Sequence, residues 1–154
     1  MIERYSRPEM AALWTLENKF AVWLEVELAV CEAWNRLGHI PDADLARIKA
    51  KAGFDVARIL EIEEKTRHDV IAFLTAVEEK VGPSARFIHL GCTSSDIVDT
   101  ANGVLLSRAG NLILKAADRL LGVLKDTALA NKGRLCMGRT HGIHAEPISF
   151  GLKM

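Results

Sequence analysis

The sequence predicts an all-helical protein, and three observations predict it. Apolar residues recur at three- and four-residue spacing along most of the chain. Gly38 with Pro41, Gly53, and Gly82 with Pro83 punctuate the first of these stretches at helix-like intervals. No alternating apolar–polar run of useful length for a strand stands out, and no internal repeat is visible.

"SRPE" at 6–9 reads as the first helix start, with Ser6 as cap, Glu9 three residues on, and Pro8 in the first turn. One long helix is expected to follow, because Leu13, Leu16, Phe20, Trp23, Val30, Trp34 and Leu37 form a single stripe. Glu27 is the one polar break in it. The stripe reads as core, and its tryptophans need no cofactor to explain them. Two shorter helices are expected over 42–52 and 55–65, the second capped by Asp55. "HDVIAFLTAVEEKVG" continues the helical period through Val70, Phe73, Leu74, Val77 and Val81, and Gly82-Pro83 stops it. The segment 84–95, "SARFIHLGCTSS", has no clean period and reads as a loop.

From Asp96 to Asn131 there is no proline, and Val98, Leu105, Leu112, Leu120 and Leu124 mark an apolar face. That spacing predicts a helix of roughly 35 residues, about 50 Å long. A helix of this length, apolar on more than one side, belongs in a large bundle, often between subunits. Pro147 then reads as opening a further helix, "PISFGLKM", inside which the sequence stops. The expectation is a piece of a longer protein: a helical N-terminal domain over 1–93, then the start of a long-helix domain over 94–154.

The balance of 20 basic against 20 acidic residues argues against a nucleic-acid binder and against a binder of acidic lipid surfaces. A local anion site needs only two or three donors and stays open. The three cysteines, Cys31, Cys92 and Cys136, suggest no disulfide framework and favour a reducing, cytoplasmic compartment. "MIERYSRPEM" has no apolar run, so it does not read as a signal peptide, and no stretch is apolar enough to span a membrane.

Four stretches concentrate polar chemistry: "ERYS" (Arg4, Tyr5), "TRHD" (Arg67, His68, Asp69), "HLGCTSSD" (His89, Thr93, Ser94, Ser95, Asp96) and "GRTHGIH" (Arg139, Thr140, His141, His144). Each offers donors to an anion: guanidinium, imidazole, hydroxyl, or backbone N–H groups at a helix start. Each also has a plain reading. Thr93 or Ser95 serves as an N-cap, Asp69 as a cap, Arg4 as a solvated charge, and His68 as a surface or core histidine. Cys136, His141 and His144 could bind zinc by ligand type, but no fourth ligand, CxxC or HExxH accompanies them. A structural pair in a turn and a general acid or base are the other readings of the two histidines. No GxSxG, P-loop or GxGxxG occurs.

Taken in order, "RYS", "TRHDVIAF", "HLGCTSSDIVDT" and "GRTHGIHAEPISFG" resemble the adenylosuccinate lyase family of the fumarase/aspartase superfamily. The resemblance covers essentially the whole chain. "TRHDV" together with "TSSD" favours this branch over fumarase or argininosuccinate lyase. It implies an all-α, fumarase/aspartase-like fold, in which 94–154 begins a central helical bundle. It implies a homotetramer in the full-length protein, with each active site drawn from three subunits.

The implied reaction is a β-elimination that releases fumarate. Adenylosuccinate gives AMP, and the succinylated aminoimidazole carboxamide ribotide gives its carboxamide, both in purine biosynthesis. No metal or redox cofactor is implied, and the partners are these small molecules, with no nucleic acid and no membrane. Carried over by motif, His141 is the general acid for the leaving nitrogen, and His68 assists it or lies near the phosphate. Thr93 and Ser94 take the succinyl carboxylate, and Thr140 positions the substrate. Arg4 and Tyr5 hold the nucleotide end, Arg67 and Asp69 line the same pocket, and His89 is an extra phosphate ligand; His144 is structural. The family's general base is a serine on a downstream glycine-rich loop with no counterpart here, so this chain alone is expected to be inactive. The alternatives are another fumarate-releasing lyase, argininosuccinate lyase-like, and a non-catalytic helical interaction domain using the 96–131 face.

Overall fold

A computed structural model describes residues 2–154 and is helical apart from one two-stranded hairpin. A 3-10 turn at Glu3–Tyr5 precedes α1 (Pro8–Ala12) and α2 (Leu16–Arg36). Then come α3 (Asp42–Lys51), α4 (Val56–Thr66), α5 (Asp69–Val81), a 3-10 turn at Gly82–Phe87, and α6 (Ser94–Ala130). The hairpin β1 (Leu135–Thr140) and β2 (Ile143–Ser149) follows, and then α7 (Phe150–Lys153).

The first stripe is not one helix. It breaks at 13–15, where the Thr15 side chain accepts the Asn18 N–H at 3.2 Å and caps a new start. Ser6 does not cap α1: its hydroxyl donates to the Ile2 carbonyl, and the N-cap residue is Arg7, without a side-chain bond. At the far end of α2, His39 N–H bonds Trp34 O and Gly38 N–H bonds Asn35 O, with Gly38 at φ +80. This paired closure needs a left-handed residue, which glycine adopts without strain. Asp55 caps α4 as expected, accepting from Ala57 N at 2.9 Å and Arg58 N at 3.4 Å.

Two compact units divide the chain within α6, Met1–Ala109 and Gly110–Met154. In the first, the α2 stripe packs on α5 through an aromatic cluster. Phe20 stacks on Phe73 with centroids 5.8 Å apart, and Trp23 meets both edge-on. All three are 1% exposed or less, each contributing about 1.5–3 kcal/mol of burial. Ile48 of α3, Ile59 and Ile62 of α4, and Ile97, Ala101 and Leu105 of α6 join this core.

The second unit departs from the expected helix at Pro147. Leu135–Thr140 and Ile143–Ser149 pair antiparallel, with Pro147 opposite Met137 and an irregularity at Gly138. Pro147 lacks the N–H that a helix interior or central strand would use, but a two-stranded ribbon has edges on which it fits. The helix begins later, at Phe150, capped by the Ser149 side chain, which accepts from Leu152 N at 3.1 Å. Phe150 N bonds Arg134 O at 2.7 Å and Gly151 N bonds Asn131 O at 3.1 Å, tying the hairpin's end to the turn after α6.

Candidate active site

The first unit carries most of the polar clusters. Arg67 ends α4 in the left-handed region at φ +53, and His68, extended at φ −150, begins α5. His68 Nδ1 accepts the Ile71 N–H at 3.4 Å, so in the neutral ring Nε2 carries the proton. Its Nδ1 is also 3.8 Å from Asp69 Oδ1. Asp69 caps its own neighbour through the Val70 N–H at 2.8 Å, and its other oxygen is 3.7 Å from Lys19 Nζ. Lys19 in turn lies 4.5 Å over the Trp23 ring. Asp69, Lys19, Trp14, Val98 and Asn102 share a cleft of about 310 Å³. Asp69 is the one expected site residue that lines it.

Arg4 and Tyr5 sit in the N-terminal turn, the guanidinium 4.8 Å over the exposed phenol ring. Thr93 precedes α6 and Ser94 is its first residue, so the helix starts inside the segment expected to be a loop. Asp96 Oδ2 accepts the Thr93 N–H at 2.8 Å and so satisfies one donor of this helix start. The remaining first-turn N–H groups, at the positive end of a 37-residue helix, favour an anion.

His89 is held more tightly than any other candidate in this unit. Glu27 Oε2 accepts its backbone N–H at 3.0 Å, and Oε1 lies 2.6 Å from its Nδ1. Glu27, read as a polar break in the stripe, is 1% exposed. Burial raises its carboxyl above the usual range, and the His89 interactions oppose that rise. The same side of α2 grips this loop twice more: Cys31 Sγ is 3.8 Å from Phe87 O, and Trp34 Nε1 donates to Leu90 O at 2.7 Å. Burial pushes the Cys31 thiol up to about 11. Lys19 and Asn102 were not singled out from the sequence, and Glu27 was read only as a polar break. For Glu27 a signal existed: a lone acid inside a buried stripe must find a partner.

Thr140 and His141 belong to the second unit. His141 and Gly142 form the two-residue loop of the hairpin, at φ +49 and +76, between the paired Thr140 and Ile143. Two successive positive values are the signature of a type I′ turn, and a non-glycine residue there is held at a cost. His141 is exposed at the tip, and His144 pairs across the ribbon with Arg139. Among the described residues no group of three or more His, Cys, Asp or Glu is placed to hold a metal ion. Cys136, His141 and His144 therefore form no such group.

The chain is 53% identical over all 154 residues to the adenylosuccinate lyase of Bacillus subtilis (strain 168). It is 54% identical to that of Streptococcus mutans serotype c and 50% identical to that of Staphylococcus saprophyticus. It spans 36% of the length of each of these relatives. Among solved structures, a fumarate lyase from Mesorhizobium sp. BNC1 superposes with a TM-score of 0.87 at 26% identity, over 94% of this chain and 35% of that one. A 3-carboxy-cis,cis-muconate lactonizing enzyme from Pseudomonas putida gives 0.86 at 26% identity, over 97% and 36%. A family model described as lyase matches residues 3–154, and the chain belongs to that lyase family.

Proposed function

We propose that this chain is part of an adenylosuccinate lyase, which eliminates fumarate from adenylosuccinate and from the succinylated aminoimidazole carboxamide ribotide. Identity of 50–54% along the whole chain to adenylosuccinate lyases carries this reading. In the elimination, a base takes the proton from the carbon next to a carboxylate, the C–N bond breaks, and the leaving nitrogen takes a proton from an acid. His141 is that acid. An exposed ring on a two-residue turn suits a group that must meet a substrate. Thr140, beside it, positions the substrate.

His68, with its proton on Nε2, assists at the substrate, and Arg67 and Asp69 line the pocket. Thr93 and Ser94 take a carboxylate at the start of α6, where developing negative charge is stabilised. Arg4, Tyr5 and His89 hold the nucleotide end, and the base comes from outside these 154 residues.

The whole protein is a cytoplasmic homotetramer in purine biosynthesis. Exposed Leu106, Ile113, Leu114, Leu120, Leu121 and Val123 on α6 support burial of this helix in an assembly. No described helix is long and apolar enough to cross a membrane. The test is fumarate release by the full-length protein. Adenylosuccinate should give fumarate and argininosuccinate should not; the reverse would place the protein in the other branch.

A further inference from the structure

Glu27 lies on a core helix, and its carboxylate is spent entirely on His89. It fixes the residue at two atoms, the backbone N–H at 3.0 Å and ring Nδ1 at 2.6 Å. His89 needs such support, because it stands in the left-handed region at φ +65, where non-glycine residues are disfavoured. Nε2 makes no hydrogen bond among the described residues, and none of their buried side-chain nitrogens or oxygens lacks a partner. Nε2 therefore reaches solvent. The carboxylate fixes the ring at Nδ1 and leaves Nε2 as its free outer edge.

We propose that Glu27 is a positioning residue that orients the His89 imidazole, so that its Nε2 edge faces a phosphate group. The proposal rests on the reading above that the substrate is a nucleotide held partly by His89. Glu27 itself touches no substrate. It acts through His89, as a buried carboxylate behind a ligating histidine fixes that ring's direction.

The test uses the full-length protein and inorganic phosphate as the probe, titrated by calorimetry, with KM and kcat for adenylosuccinate measured alongside. Glu27→Gln keeps the shape and removes the charge. It is expected to weaken phosphate binding by about tenfold, the scale of a lost charge-assisted hydrogen bond. KM should rise comparably with kcat within about twofold, the mark of lost ground-state binding. His89→Gln should weaken phosphate similarly, and the double variant no further, since the two act as one unit. Cys31→Ala loosens the same loop at Phe87 without touching His89, and it should lower stability while leaving phosphate affinity unchanged.

If Glu27→Gln does not fold, Glu27→Asp retains the charge one methylene further back and should give an intermediate loss. Unchanged phosphate affinity in a folded Glu27 variant, additive losses in the double variant, or an equal loss in Cys31→Ala would each overturn the proposal. Phosphate results of the expected kind without fumarate release would uphold this role and overturn the substrate reading instead.

Discussion

Glu27 Oε1 lies 2.6 Å from His89 Nδ1, across 62 residues of sequence, with the Glu27 side chain 1% exposed and that of His89 18% exposed. This contact fastens the loop before α6 to α2, and it makes stability depend on pH. Burial raises the Glu27 carboxyl, so the folded state holds that proton more tightly than the unfolded chain does. The contribution is fully present below the unfolded value of about 4.3 and is lost as pH rises through the higher folded value. The melting temperature of the parent minus that of Glu27→Gln should therefore fall as pH rises above about 4.3. A difference that grows over this range would mean that the His89 interactions outweigh burial.

Cys31 should be chemically silent in the folded protein. It is 0% exposed, with its thiol pushed up to about 11, and the thiolate is the reactive form. A thiol reagent at mildly alkaline pH should leave Cys31 unmodified, by mass spectrometry of its peptide, until denaturant is added. Rapid native labelling of Cys31 would show that the α2 contact with Phe87 opens freely.

Phe73→Ala should cost about 3–5 kcal/mol, because it removes the ring that Phe20 stacks on and leaves a cavity beside Trp23. Asp55→Ala removes a cap accepting from two N–H groups and should cost about 1 kcal/mol. Denaturant titration of the two variants checks the ranking. Equal losses would mean that the aromatic cluster collapses around the missing ring.

Two glycine substitutions should act in opposite directions. A Cβ at Gly138 would stand 2.6 Å from the Glu146 carbonyl oxygen of the facing strand, so Gly138→Ala should cost about 1–3 kcal/mol. Gly122, inside α6, has nothing within 4 Å of an added Cβ, and Gly122→Ala should stabilise this chain by about 0.5–1 kcal/mol. Thermal melts of both variants against the parent read the signs directly.

The helices were legible wherever the stop signals were local. Gly82-Pro83 ended α5 and Asp55 opened α4, because caps and breakers act within a turn. The break at 13–15 was hidden, since the apolar stripe runs across it and Thr15 looks like any polar position until it caps. The hairpin was hidden for another reason. Its two strands are exposed over most of their length, so no alternation of apolar and polar residues was needed to bury a face. The one available sign was His141-Gly142, a pair able to take two positive φ values.

The site divides in the same way. The polar clusters were visible as residue types, and the family resemblance gave their order. The Glu27–His89 contact joins residues with nothing between them in sequence to link them, and only packing brings them together. Asp69 was expected among the pocket residues, but its cleft partners Lys19 and Asn102 lie on other helices and carry no motif.

The most direct test of His141 as the general acid is fumarate release from adenylosuccinate by the full-length protein and its His141→Ala variant, with folding confirmed for both. The parent should release fumarate and the variant should lose at least about a hundredfold, since a general acid typically contributes 10²–10⁴-fold. Release by His141→Ala at the parent's rate, or none from adenylosuccinate by the parent, would contradict it.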